Sequence, residues 1–288
     1  MVQLGGRTSK HKWTGFIAKV GHKAYPNESI TEHLISRLGE CSGFRMAKTK
    51  LMRANTQLRF LSQDFLQKDE SLVHGAQIFA SYLLDEKMVK DIEDSRLESD
   101  LFTFQFICRA IQEVLPNHYE TITQDFVKML CFDTLVGNND RHHWNWGVIV
   151  DARGRKAPRF SPIYDSARGL FWNELEEKIE GLSTNPPLRK QFIQNYTLKS
   201  APMTGWDGIS KLNHFGLIKN IYQNHPELKP LIREAIVKDT LTKFEEVLHN
   251  EFRDLLSENR RNLILDYLKF RLEAYNNATK EDKDVEKH

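Results

Sequence analysis

Residues 132–149 read FDTLVGNNDRHHWNWGVI, and more of the fold turns on this stretch than on any other. Before it, apolar residues recur at helical spacing from about 120 to 136, and the pattern stops at Gly137, a residue type that often ends helices in a left-handed conformation. After it, polar loop residues give way to a short β-rich run, WGVIV. Asp140 and Asn145 stand five apart. That D-x-x-x-x-N spacing lets one loop offer a carboxylate to an acceptor hydroxyl and an amide oxygen to a metal ion, as phosphoryl transfer requires. Asn and Asp also favour ordinary turns, so the spacing needs support from its surroundings.

Downstream, SPIYDSARGL (161–170) places Asp165 after a turn and a short strand, where a second metal ligand belongs. One amide and one carboxylate suit Mg²⁺, a hard cation whose remaining positions go to phosphate oxygens and water. Upstream, KWTGFIAKV (12–20) is aromatic and β-branched. Strand alternation puts Phe16 and Ala18 on one face and Ile17 and Lys19 on the other, which aims the Lys19 ammonium at a cleft. NESITEHLISRLG (27–39) predicts a helix over 28–38 with Gly39 as its stop, and Glu28 at its start is the expected ion-pair partner of Lys19. Residues 46–66 alternate around Asn55 and predict a hairpin, and ESLVHGA (70–76) reads as a connector.

Beyond the connector the pattern is helical, at about 76–83, 99–115 and 120–136. Residues 172–206 are amphipathic pieces broken by NPP and APM, and helices follow at about 208–223, 226–249 and 251–276. The expected fold class is therefore α+β and two-lobed. A small β-rich N-lobe spans 1–70, a mostly helical C-lobe with the catalytic and metal-binding loops spans 71–276, and a charged tail without apolar anchors spans 277–288 and reads as disordered.

Composition narrows the alternatives. With 41 Lys+Arg against 39 Asp+Glu, the net charge of +2 gives no strong field for a phosphate backbone, so direct nucleic-acid binding is not expected. No window approaches the ~18 apolar residues of a membrane span. Cys41, Cys108 and Cys131 are odd in number and far apart, which argues against a disulfide framework and points to a reducing, cytoplasmic setting. His142 and His143 are adjacent, so their side chains diverge and make a poor metal pair. Arg141 and His142 are expected to brace the loop, and Trp144 and Trp146 to wedge it onto its lobe. Gly39-Glu40-Cys41-Ser42-Gly43 imitates a nucleophile elbow but follows a helix where that motif follows a strand.

The run FDTLVGNNDRHHWNWGVI resembles the catalytic loop of HipA-like serine/threonine kinases, and SPIYDSARGL is similar to that family's metal-binding segment. ESLVHGAQ resembles a segment that follows the hinge in its shorter members. The likeness covers most of residues 5–220. It implies ATP and Mg²⁺ as cofactors, Asp140 as catalytic base, Asn145 and Asp165 as Mg²⁺ ligands, and Lys19 on the phosphates with Glu28 holding it. It also implies an adenine-contacting hinge from about Leu61 to Phe65, an antitoxin partner of a bacterial toxin-antitoxin pair, and Ser9 as an autophosphorylated loop serine. GGRTSKHK (5–12) departs from the family pattern, since Gly5 and Gly6 are adjacent and no Gly-x-Gly-x-x-Gly loop is formed. By the same resemblance the chain is expected to lack the extra N-terminal subdomain of the longer members.

Three readings follow: a kinase of protein hydroxyls, a lipid or small-molecule kinase of the same fold, and a nucleotide-binding regulatory module without turnover.

Overall fold

The computed structural model describes residues 2–4, 14–21, 25, 27–54 and 57–281. Strands β1 (Val2–Leu4), β2 (Thr14–Lys19), β3 (Thr49–Ala54) and β4 (Gln57–Gln63) form an antiparallel sheet in the order β1-β2-β4-β3. The register sets Lys19 opposite Phe60 and Ala18 opposite Leu61. Facing pairs share a side of an antiparallel sheet, so Lys19 and Phe60 lie on one face and Leu61 on the other. The predicted turn at Asn55 and the loop holding Ser9 lie outside the described residues.

Helix α1 (Asn27–Cys41) packs on this sheet through buried Leu34, Ile35 and Leu38. His33 Nδ1 meets Thr49 Oγ1 at 2.8 Å, and Ser36 Oγ donates to the Ala47 carbonyl at 3.0 Å. The expected stop at Gly39 is corrected, because the helix runs through it to Cys41. Gly39 is there for space: a Cβ would drive into the Met46 side chain, which crosses the helix at that point.

The predicted connector at 70–76 is instead mostly strand. Strand β5 (Glu70–His74) pairs antiparallel with β6 (Gly147–Asp151), which in turn pairs with β7 (Arg159–Phe160). Glu70 explains why a polar segment holds this place, since its two carboxylate oxygens take hydrogen bonds of 3.0 and 2.8 Å from Arg159.

Helices α2 (Gly75–Leu83), α3 (Glu86–Asp94), α4 (Glu98–Leu101), α5 (Phe104–Val114) and α6 (Tyr119–Val136) follow in order. Helix α6 is buried on all sides from Met129 to Val136, while Glu120, Gln124 and Lys128 keep one face of its first half in solvent. After β7 come α7 (Glu176–Ser183), α8 (Pro186–Lys199), α9 (His214–Asn224), α10 (Lys229–Glu234), α11 (Thr240–Asn250) and α12 (Glu258–Ala278). The NPP triplet starts a helix: Asn185 Oδ1 caps α8 by accepting from Leu188 N at 3.1 Å, and Pro186 takes the first helical position, where no donor is needed. Helix α12 continues through Asn277 and Ala278 into the predicted tail, of which residues 282–288 lie outside the described residues.

Two features fix the site. The α6 helix ends at Gly137 with φ +67°, and a Cβ there would strike the Tyr267 hydroxyl, so glycine is required for both conformation and space. The run into β3 and the run into Asp165 are also joined. Ala47 N donates to the Ile163 carbonyl at 2.9 Å and Ile163 N to the Arg45 carbonyl at 2.8 Å.

Candidate active site

The loop after α6 is organised by one buried cation. Arg141, 2% exposed, donates to the Asp133 carboxylate at 2.8 and 2.9 Å. It also donates to the Asn145 carbonyl at 2.8 Å, the Tyr164 carbonyl at 2.6 Å and the Ser166 hydroxyl at 2.6 Å. A guanidinium offers five donors in a fixed plane, so a single side chain ties the end of α6, the loop that follows it and the Asp165 segment into one unit. The bracing role expected of Arg141 is therefore real, and wider than its own loop.

Within the loop, Asn145 Nδ2 donates to the Asp140 carbonyl at 2.8 Å. That bond turns the amide and leaves Oδ1 as the acceptor available to a cation. Asp140 N donates to Asn138 Oδ1 at 3.3 Å, and the Asp140 carboxylate lies 3.3 Å from Arg168 Nε. Burial raises the Asp140 pKa against the opposing pull of Arg168.

Lys19 stands opposite. Its ammonium is 2.6 Å from Asp165 Oδ1 and 3.2 Å from Glu32 Oε1. Burial alone would lower its pKa, but the attraction of Glu32 and Asp165 carries it above the ordinary value. Glu32 is pushed up to about 7, first by burial and then by the nearby Asp165 charge, with Lys19 opposing. Asp165 holds φ +53°, a left-handed conformation that a non-glycine residue takes only at a cost of ~1–3 kcal/mol, and Leu170 and Phe171 share it further along the segment.

The expected partner Glu28 is corrected to Glu32. The helix after the strand was legible, but not how far along its axis it slides relative to Lys19. Glu32 lies about one turn further on, on the buried face between Ser29 and Ser36. The hinge segment also needs adjustment. Leu61 is buried on the face turned away from Lys19, whereas Phe60 lies with its ring centroid 5.8 Å from the Lys19 ammonium. Phe65 sits 5.7 Å from the Tyr164 ring, next to Asp165. Glu32, Phe60, Ser62, Tyr164, Asp165 and Ser166 line the narrow cleft between the sheet and the loop. A larger groove of about 660 Å³ lies between the α1–β3 turn, α6 and α10, and it contains none of these groups. The charged cluster, rather than the larger volume, marks the chemistry.

Sequence reasoning missed Glu32 and Arg168, which act across the fold. Of the histidines, His143 is fully buried between the Phe79 and Phe102 rings, and burial lowers its pKa to about 3, a neutral packing residue. Trp146 is likewise buried, stacking on Phe160 with centroids 5.8 Å apart. Trp144 is half exposed and donates to Glu93 at 2.8 Å. Among the described residues no group of three or more His, Cys, Asp or Glu side chains could hold a metal by itself. An amide plus one carboxylate, completed by phosphate oxygens, remains the donor set that fits Mg²⁺.

A lysine held by a helix glutamate, facing an Asp-x-x-x-x-Asn loop and a following Asp, on a small sheet joined to a helical body, defines a protein-kinase-like fold. Residues 2–207 match the HipA-like C-terminal domain family, and the chain belongs to that family. It is 22% identical over 272 residues to the serine/threonine-protein kinase CtkA of Helicobacter pylori strain J99, covering 92% of this chain and 77% of that protein. The crystal structure of a Helicobacter pylori proinflammatory kinase CtkA superposes with a TM-score of 0.72 at 18% identity, over 91% of this chain and 90% of that one. HipA from Shewanella oneidensis MR-1, solved with HipB and operator DNA, gives 0.51 at 14% identity over 91% of this chain and 58% of that one. No helix among the described residues is long and apolar enough to cross a membrane.

Proposed function

We propose that the protein transfers the terminal phosphoryl group of ATP, with Mg²⁺, to a serine or threonine hydroxyl of another protein. The observation that carries this is the convergence of Lys19, Glu32 and Asp165 within 3.2 Å, facing a loop whose Arg141 binds the Asn145 and Tyr164 carbonyls together. Such a site works by positioning and charge stabilisation more than by covalent chemistry.

In this reading Lys19 leaves Asp165 for the non-transferred phosphates while Glu32 keeps it aimed. Asn145 Oδ1 and the Asp165 carboxylate would hold Mg²⁺, which supplies positive charge to the phosphate oxygens. The Asp140 carboxylate takes the acceptor hydroxyl's proton as that oxygen bonds to phosphorus and the bond to ADP breaks. Its raised pKa suits a group that must hold the proton briefly. Phe60 and Phe65 flank the cleft on the side where adenine would lie.

The match to a named serine/threonine-protein kinase favours a protein acceptor over a lipid or small molecule. The likeness to the HipA of a HipA–HipB–operator complex supports, as a finer part of the proposal, a toxin role with an antitoxin partner. Incubating the protein with labelled ATP, Mg²⁺ and a cell extract tests the whole. A labelled protein band that vanishes with Asp140→Ala is expected. A labelled lipid spot would move the acceptor class, and no Asp140-dependent label in any fraction would end the kinase reading.

A further inference from the structure

Beside the catalytic loop, a second cavity of about 410 Å³ opens between α8 and the chain that follows Asp165. Its size is in the range of ligand-binding clefts. Asn139, the neighbour of the proposed base, forms one wall, and Trp172, Phe192 and Tyr196 supply aromatic surface. Asn173 and Asn195 add amides that can both donate and accept, as an extended peptide backbone demands.

The cavity is fastened to the chemistry from two sides. Ser200 Oγ donates to Asn139 Oδ1 at 2.7 Å, which bolts the C-terminal end of α8 to the catalytic loop. On the other side the Arg168 guanidinium reaches Asp140 at 3.3 Å while lying 5.5 Å from the Trp172 ring. Arg260 then fixes the chain between them, donating to the Phe171 and Glu174 carbonyls at 3.1 and 2.6 Å. A segment lying in the cavity is thereby held in register with Asp140.

The charges select the occupant. Lys178 is engaged by Glu174 at 2.7 Å and lies over the Phe192 ring at 4.5 Å. Lys199 is exposed at the rim, next to Ser200, and among the described residues it forms no ion pair or side-chain hydrogen bond. A phosphorylated metabolite would call for several free cations converging on it, and a lipid for an unbroken apolar wall. One free ammonium among aromatic rings and amides matches a polypeptide with a single carboxylate side chain.

Resting on the kinase reading, we propose that this cavity seats the acceptor segment and that Lys199 selects acceptors with an aspartate or glutamate beside the phosphorylated hydroxyl. Lys199 acts on specificity and binding, through KM, and takes no part in the transfer itself.

The test uses the full chain with ATP, Mg²⁺ and arrayed serine peptides of otherwise random sequence, each with Asp, Ala or Lys fixed at one position flanking the serine. Labelling of the Asp series at one or more positions should exceed that of the matched Lys series at least fivefold. For the best Asp peptide the difference should lie in KM. Lys199→Glu should invert the order, and labelling of Lys peptides by that variant shows it to be folded. Lys199→Gln should level the two series. Equal labelling of the Asp and Lys series by the unaltered protein overturns the inference, as does a preference that both variants leave intact. If no peptide is labelled while extract proteins still are, this inference falls and the kinase reading stands. If neither is labelled, both fall.

Discussion

Lys19 Nζ rests 2.6 Å from Asp165 Oδ1, closer than to Glu32 at 3.2 Å, so two groups that would serve opposite sides of a nucleotide's phosphates neutralise each other across the cleft. The pair is a little more than one-third exposed, 35% for Lys19 and 39% for Asp165, so water screens it and its contribution to stability is small. It can therefore be exchanged for phosphate and metal at little cost.

Asp165→Ala separates that exchange from folding. Apparent affinity for ATP in the presence of Mg²⁺ should fall by roughly a hundredfold, while the urea midpoint should hardly move. Isothermal titration with and without Mg²⁺ measures the first; unchanged affinity would remove Asp165 from the site.

Glu32 should leave a signature in pH. Its folded pKa of about 7 lies above the ordinary 4.5 of a free glutamate, so the fold favours the protonated acid. Its stabilising contribution is fully present below 4.5 and is lost as pH rises through about 7. Between pH 5 and 8 the melting temperature of the unaltered protein should fall relative to that of Glu32→Gln. Parallel melting curves across that range would show that Glu32 is not held in this way.

Asp133 and Arg141 are 1% and 2% exposed at their side chains and bonded at 2.8 Å. Removing the carboxylate alone strands a buried guanidinium, which costs about 3–5 kcal/mol. Asp133→Ala should lower the urea unfolding free energy by that amount and also loosen the loop bearing Asp140. A loss below about 1 kcal/mol would mean that the other acceptors around Arg141 suffice.

Gly137→Ala and Gly154→Ala form a matched pair. Both sites hold left-handed backbone, φ +67° and +65°, but a Cβ at Gly154 meets nothing within 4 Å whereas one at Gly137 meets Tyr267. The Gly154 change should cost about 1–2 kcal/mol and the Gly137 change clearly more. Equal costs in chemical unfolding would leave the collision without effect.

What was legible in the sequence was local. Asp140, Asn145 and Asp165 lie on short runs whose spacing fixes their order, and the alternation around Lys19 placed its ammonium in the cleft. Glu32 was hidden because strand and helix patterns say nothing of the axial offset between them. The Glu70–His74 strand was hidden because its partner, Gly147–Asp151, comes much later in the chain, and five residues running straight into a helix show little periodicity. Gly39 misled for a different reason: a glycine can mark a helix end or a close crossing, and only Met46 decides which.

The two backbone bonds between Ile163 and the run Arg45–Ala47 sew the rear of the cleft shut. If the small sheet rocks against the helical body, this seam and the covalent connector through Phe65, whose ring lies 5.7 Å from that of Tyr164 beside Ile163, act together as a door's hinge side. A substitution at the seam would then alter how fast product escapes without touching any group that handles phosphate.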